Sequence, residues 1–502
     1  MTDGCIGRLP PFSVRKNEDM KIKNLFKKKW SAGVMASIVY TLASLFSRGL
    51  AIITTPIFTR IMPPDQIGVV SLYQSWASII GTFGTLALTS GGFQLSLREF
   101  GKERNRYVSS VLSLTTLVAL LLMVVYAAAP GFWNEVTGLP TALMILLLLQ
   151  MLLSPAQDFW LLRQRYEYKY KIAGLVTFLS ALVASIVAIG AVVKAAENGV
   201  QSLGAVRLFA TYGVSLTLSL VLWIYIFWKG RTLYSGRYWR FSLSLSLPLI
   251  GNSIASQILD ASDRAMISKM VGNSAVGIYS TLYTVSSLSL IVWAAINSSF
   301  IPYLYENIDK PEKRDQLRTA SSGILALFSV IAFLATMLAP EIVQILATKQ
   351  YYEAIYIMPP IAAGVFFTAV SNMYSNVLIY YRKTQFIMIS SGVAAVLNVV
   401  LNYIGIQQFG YIAAAYTTMI SYMVMGISQM VVATKVYNNT AQSTGKFVYN
   451  TKLVGGILLL TAVCCLSCLL LYRTTLLRYV ILAVIVVVLL IKRDAVIRLF
   501  RR

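Results

Sequence analysis

Apolar runs of 18 or more residues recur from Ser31 almost to the C-terminus. Each is long enough to cross about 30 Å of hydrocarbon as a helix. Composition agrees: 57% of residues are hydrophobic and 12% charged, with a mean hydropathy of +0.69. A soluble chain would carry about twice that charged fraction. The expected fold is therefore all-α and polytopic. About fourteen transmembrane helices are expected, at roughly 31–59, 67–95, 108–130, 139–162, 172–194, 203–228, 243–268, 274–302, 319–340, 355–381, 386–405, 410–434, 453–472 and 475–491.

The net charge of +24 invites a nucleic-acid reading, which its distribution removes. Of the 43 basic residues, 34 fall before Trp30, in the loops after even-numbered spans, or in the C-terminal tail. The opposite loops hold 6: Arg60, Lys194, Lys269, Lys349, Arg473 and Arg478. Arg48, Arg207 and Arg264 lie within spans. An excess of this kind marks the cytoplasmic side and attracts anionic lipid heads. Both termini are expected to be cytoplasmic, in a multi-pass plasma (inner) membrane protein. The long basic N-terminal region and long first apolar run do not fit a cleavable signal. Met20 would serve as an alternative start, leaving residues 1–19 dispensable.

An internal repeat gives the organisation. Arg60-IMPPDQ-Ile67-Gly68 is echoed by Lys269-MVGNSA-Val276-Gly277, an offset of 209. Leu203-Gly204-Ala205 matches Ile412-Ala413-Ala414 at 209, and Pro130 matches Pro340 at 210. Six spans separate the copies, an even number, so the repeat is parallel. Its two-fold axis runs along the membrane normal, as in two-lobed transporters. This divides the chain into a basic N-terminal segment (1–30), an N-lobe (31–228) and a C-lobe (243–434), followed by two extra helices (453–491) and a cytoplasmic tail (492–502).

Charges inside spans are the candidate site residues, because they are costly and usually face a cavity or a path. Arg48 lies about three residues from the midpoint of its span, roughly 5 Å. It is read as substrate-facing, the alternative being a packing salt bridge with another span. In QILDASDRAMISKM (Gln257 to Met270), Asn252, Ser256, Asp260 and Arg264 stack at steps of four, flanked by Ser253, Gln257 and Asp263. Such a stripe avoids lipid. Asp260, Asp263 and Arg264 are candidates for substrate contact or an outer gate, while an Asp260–Arg264 pair at i, i+4 is the simpler explanation. Lys269 reads as an interface anchor. Arg207, at the outer end of its span, is expected to snorkel outward. Asp158 is expected to pair locally near Arg163. Tyr279, Tyr283 and Trp293 read as packing or interface aromatics, and Pro63–Pro64 as an exposed turn.

No catalytic constellation is visible, so the protein is not expected to be an enzyme. The chain has no His, the commonest general base. It has no glycine-rich phosphate loop and no extramembrane segment large enough for a catalytic domain. No metal or other cofactor is expected, with transport coupled to an ion gradient or the membrane potential. Cys464, Cys465 and Cys468 read as small apolar residues of a span.

Three stretches resemble polysaccharide exporters of the multidrug/oligosaccharidyl-lipid/polysaccharide flippase (MOP) superfamily. They are Phe46-x-Arg48 followed by TTPIFTRIMPPDQIGVVSLYQSW (Thr54 to Trp76), SLPLIGNSIASQILDASDRAMISKMVGNSAVGIYSTLY (Ser246 to Tyr283) and LNYIGIQQFGYIAAAYTTMISY (Leu401 to Tyr422). The likeness covers spans 1–12; the last two match by hydropathy alone. It implies a flippase, functional as a monomer, that rocks two lobes to move polyprenyl-pyrophosphate-linked oligosaccharide to the outer leaflet. By analogy with lipid II flippases, spans 13–14 would bound a groove for the lipid tail. Arg offers a fixed fork of donors to a pyrophosphate. With a single deep Arg in the first lobe, a less anionic substrate also fits. The alternative is a multidrug or organic-cation antiporter of the same superfamily, for which a deep carboxylate in the first lobe and twelve spans are expected.

Overall fold

A computed structural model describes residues 32–89, 92–440 and 447–491. Among them there are eighteen α-helices and no strand. The N-lobe comprises α1 (Ala32–Ile61), α2 (Pro64–Gly84), α3 (Gly92–Glu99), α4 (Arg104–Ala128), α5 (Pro130–Thr137), α6 (Thr141–Tyr166), α7 (Tyr170–Glu197) and α8 (Leu203–Gly230). Next come α9 (Gly236–Met270), α10 (Asn273–Ser286), α11 (Ser289–Asn307), α12 (Arg314–Met337), α13 (Ala339–Leu346), α14 (Met358–Tyr380), α15 (Gln385–Phe409) and α16 (Ala413–Thr440). The chain ends with α17 (Thr451–Leu471) and α18 (Thr475–Ile491).

The helix ends repeat as the sequence does. The boundary between α1 and α2, Ile61 to Pro64, recurs between α9 and α10 as Met270 to Asn273, an offset of 209. The short helices α5 and α13 start at Pro130 and Ala339 and end at Thr137 and Leu346, again 209 apart. Equivalent helices also pack alike: α1 on α7 as α9 on α15, and α6 on α8 as α14 on α16. Within this frame α14 is the central post of its lobe, since 83% of the apolar window in its segment is buried, against 11% for α7. Beyond the repeat, α17 packs on α12 and α14.

Ten helical segments are long and apolar enough to cross a membrane, and α18 is a shorter apolar helix. Two of the other expected spans fall short for physical reasons. Span 2 is broken: after α2, Leu86 and Ala87 take left-handed backbone (φ 50° and 49°) before α3 begins. Span 7 is one 35-residue helix, α9, about 50 Å long, whose polar stripe lowers its hydropathy. Its basic-end residues are held by the N-lobe: the Tyr107 and Ser242 hydroxyls lie 3.0 Å apart, and Trp239 Nε1 donates to the Ser110 carbonyl at 2.8 Å. Its far half packs on α15 and α10.

The lobes meet tightly at the end away from the basic loops. There α2 crosses α10 with no room for side chains. A Cβ at Gly68 would overlap the Asn273 carbonyl, and one at Gly277 would overlap the Pro64 carbonyl. Because 64 and 273, and 68 and 277, are equivalent in the repeat, these contacts are reciprocal, as a two-fold axis demands. Pro64 is therefore buried and not the exposed turn its sequence suggested. Arg60 Nη2 also crosses between lobes, donating to the Ile345 carbonyl at 3.2 Å.

Candidate functional site

Polar residues in these helices face three cavities. The first, about 330 Å³, lies between α2, α6 and α9 and is lined by Ser78, Thr82, Gln150, Asp158, Ser253 and Gln257 among others. A second chamber of about 180 Å³, bounded by α1, α2, α8 and α10, has Arg207 in its wall. The third, about 730 Å³, sits inside the C-lobe between α9, α14, α15 and α16. Asn252, Ser256, Asp260, Tyr422 and Gln429 line it.

Arg48 sits near the middle of α1; its side chain lies outside the described residues. Asp260, Asp263 and Arg264 come together, but not as the simple i, i+4 pair. Arg264 Nη1 lies 3.1 Å from Asp263 Oδ1 and also donates to the backbone carbonyl of Asp260. Each carboxylate is claimed by a tyrosine from another helix. Tyr279 donates to Asp263 Oδ2 at 2.6 Å, and Tyr422 donates to Asp260 Oδ1 at 2.6 Å. These competing donors separate Asp260 from Arg264. Asp263 is 1% exposed, and the Arg264 guanidinium lies 4.6 Å from the centre of the Tyr283 ring. Asp263 and Arg264 thus form a buried, saturated pair, while Asp260 faces the C-lobe cavity.

Tyr279 and Tyr283, read from the sequence as packing or interface aromatics, and Tyr422 are the partners of this charged cluster. The i, i+4 spacing of Tyr279 and Tyr283 on α10, opposite a charged α9 face, was the available signal. Trp293 does pack, 5.1 Å from Phe328 and 3% exposed. Lys269 is exposed at the end of α9.

Two weaker expectations need correction. Asp158 does not pair with Arg163. Arg163 instead bonds Glu167 at 2.9 Å and Asn105 at 2.7 Å, while the local cation that acts on Asp158, in the wall of the first cavity, is Arg165. Burial raises the Glu167 carboxyl, but hydrogen bonds and charge from Lys169 and Arg163 outweigh it and hold Glu167 below the usual range. Arg207 does not snorkel outward. Its guanidinium lies 3.7 Å from the Phe58 ring centre, because α8 turns that position inward onto α1.

Among the described residues no group of three or more His, Cys, Asp or Glu could hold a metal ion. Cys465 and Cys468 are free and buried in packing contacts.

Comparison with known proteins follows this geometry. A family described as "Polysaccharide biosynthesis protein" matches residues 34–308, more than half of the chain, and one described as MatE matches 248–404. The chain is 23% identical over 401 residues to the probable low-salt glycan biosynthesis flippase Agl15 of Haloferax volcanii, covering 78% of this chain and 81% of that one. The structure is similar to lipid II flippase MurJ in an inward closed conformation, with a TM-score of 0.59 at 16% identity over 91% of this chain and 100% of that one. An inward-facing multidrug resistance MATE transporter of the MOP superfamily gives 0.56 at 15%, over 82% and 100%. At those identities the structural likenesses establish the fold. The family match carries the assignment, and this multi-pass membrane protein belongs to the polysaccharide biosynthesis protein family, a flippase family of the MOP superfamily.

Proposed function

We propose that the protein is a flippase for polyprenyl-pyrophosphate-linked oligosaccharide, moving it from the cytoplasmic to the outer leaflet for cell-surface polysaccharide synthesis. The observation that carries this reading is the first cavity. It lies between the N-lobe and α9, and its amides and hydroxyls (Gln150, Gln257, Ser78, Thr82) suit sugar hydroxyls. The opposite end of the lobes is closed by α2 and α10. Agl15, a probable glycan biosynthesis flippase, and MurJ, a lipid II flippase, point the same way.

On this reading the protein works as a monomer in the plasma membrane, with both termini cytoplasmic, and an ion gradient or the membrane potential drives rocking. Arg48 holds the pyrophosphate, and Asp260 contacts substrate or a coupling ion from the C-lobe cavity. Asp263 and Arg264 keep that wall in place. Spans 13–14 bound a groove for the lipid tail.

A second reading, a multidrug or organic-cation antiporter, has Asp158 in its favour, a first-lobe carboxylate that faces a cavity. Reconstitution with labelled lipid-linked oligosaccharide and a leaflet-specific probe separates the two. The flippase reading expects labelled lipid to cross, and Arg48→Ala to stop it while the protein still inserts. If no lipid moves and an organic-cation gradient collapses, the antiporter reading replaces it.

A further inference from the structure

The chamber at Arg207 is an unfilled counterpart of the charged cluster in the other lobe. At the offset of 209, its wall residues Ala51, Thr55, Val70 and Gln74 correspond to Asp260, Arg264, Tyr279 and Tyr283. On the C-lobe side the larger side chains are engaged: Tyr279 donates to Asp263, the Arg264 guanidinium lies over Tyr283, and Asp260 accepts from Tyr422 at the edge of the C-lobe cavity. On the N-lobe side four smaller ones leave about 180 Å³ empty, several times the roughly 30 Å³ share of a water.

The charge differs in the same way. Arg264 has Asp263 at 3.1 Å. Arg207 makes no ion pair among the described residues and rests on Phe58 through its ring face. Among the described residues no Asp or Glu lines the chamber. Asp65, on the same end of α2, accepts from Gln66 Nε2 at 2.8 Å. Tyr351, fully buried, is paired with Thr281 and lies within electrostatic reach of Arg207. An intramembrane guanidinium without a carboxylate is costly, and a donor fork beside a polar void matches the shape of an oxyanion.

The geometry points to an anion-binding site at Arg207, which takes a phosphate group between the lobes while their outer ends are joined. The guanidinium supplies the charge, and the Gln74 amide, which lines the chamber and also bonds Tyr212, supplies a second N–H as a neighbouring donor. The anion then does for Arg207 what Asp263 does for Arg264. Its source is either free inorganic phosphate or the phosphate of a polyprenyl lipid.

The test uses the full chain in nanodiscs, titrated separately with inorganic phosphate and with farnesyl pyrophosphate. Saturable binding is expected in at least one arm, weakened at least tenfold by Arg207→Gln and retained by Arg207→Lys. Gln74→Glu adds the missing carboxylate within the chamber and should abolish binding in a folded protein, which decides the matter even if Arg207→Gln misfolds. Binding in the inorganic arm alone identifies a free-ion site, and in the lipid arm alone a headgroup site. No binding in either arm, or binding unchanged by Gln74→Glu, overturns the proposal. Phosphate binding without lipid translocation would uphold the chamber and sink the flippase reading, so the two fail separately.

Discussion

Ser71 Oγ lies 2.7 Å from Ser280 Oγ. These two serines are 209 positions apart and equivalent in the repeat, so they meet on the axis that relates the lobes. Any motion that parts α2 from α10 must break this pair. Cysteines at both positions should therefore form a disulfide under mild oxidation, because the required S–S bond is about 2.05 Å and the side chains already touch. The oxidised S71C/S280C protein should lose at least 90% of its lipid translocation in proteoliposomes and regain it on reduction. Full activity in the cross-linked form would mean that α2 and α10 never separate.

Gly68 tests the same seam sterically. Its missing side chain lets α2 approach the Asn273 carbonyl, so Gly68→Val should disfavour the joined arrangement while leaving each lobe intact. The expected result is a rise of about tenfold or more in the labelling rate of a cysteine at Ser280 by an impermeant reagent added from the outer side. Since a tenfold change in population corresponds to about 1.4 kcal/mol, even a partly relieved overlap should register.

Asp263 is predicted to be structural. Removing one partner of a buried ion pair costs about 3–5 kcal/mol, because the other charge is left uncompensated. Asp263→Ala should sharply lower the thermal midpoint in detergent, whereas the double change Asp263→Ala, Arg264→Met should recover much of the loss. If the single variant is as stable as wild type but inactive, the pair belongs to transport and not to architecture.

Glu341 anchors the last helix. It accepts hydrogen bonds from Arg478 and from Tyr479, the latter at 2.6 Å, while the Tyr472 hydroxyl donates to the Thr336 carbonyl at 2.7 Å. The other face of α18 is almost wholly apolar and exposed. Glu341→Ala should loosen α18 from α12 and α13, seen as at least tenfold faster amide exchange in residues 472–480 with the rest of the C-lobe unchanged. Unaltered exchange would show that lipid alone holds α18 in place.

The repeat was legible because Arg60-to-Gly68 and Lys269-to-Gly277 carry no insertion relative to each other, and the same offset later appeared in helix ends. The polar stripe on α9 was legible from its four-residue spacing, whereas its hydrogen-bond partners were not. Tyr279, 16 residues from Asp263, was marked only by its spacing to Tyr283, and Tyr422 lies 162 residues from Asp260, where nothing local announces the contact. Arg207 was misread for a related reason. Depth along a helix can be counted from sequence, but the direction a side chain takes around it depends on how α8 is rolled against α1 and α2. The break in span 2 rests on left-handed backbone at Leu86 and Ala87, two residue types with no liking for it, so tertiary packing imposes it.

Helix α9 is gripped by the N-lobe through Tyr107, Ser110 and their partners at one end, and by the C-lobe around Asp260 and Asp263 at the other. Between the two grips the sequence carries Pro248, a residue type with no backbone N–H to donate. A rod clamped at both ends cannot stay neutral when its clamps tilt. Rocking of one lobe must flex or twist α9 near Pro248, and the twist is delivered directly to the helical turn that carries Asp260. On the rocking reading, a single helix would act as a mechanical transducer, by which movement at the basic face is felt as a change of position by Asp260 in the wall of the C-lobe cavity.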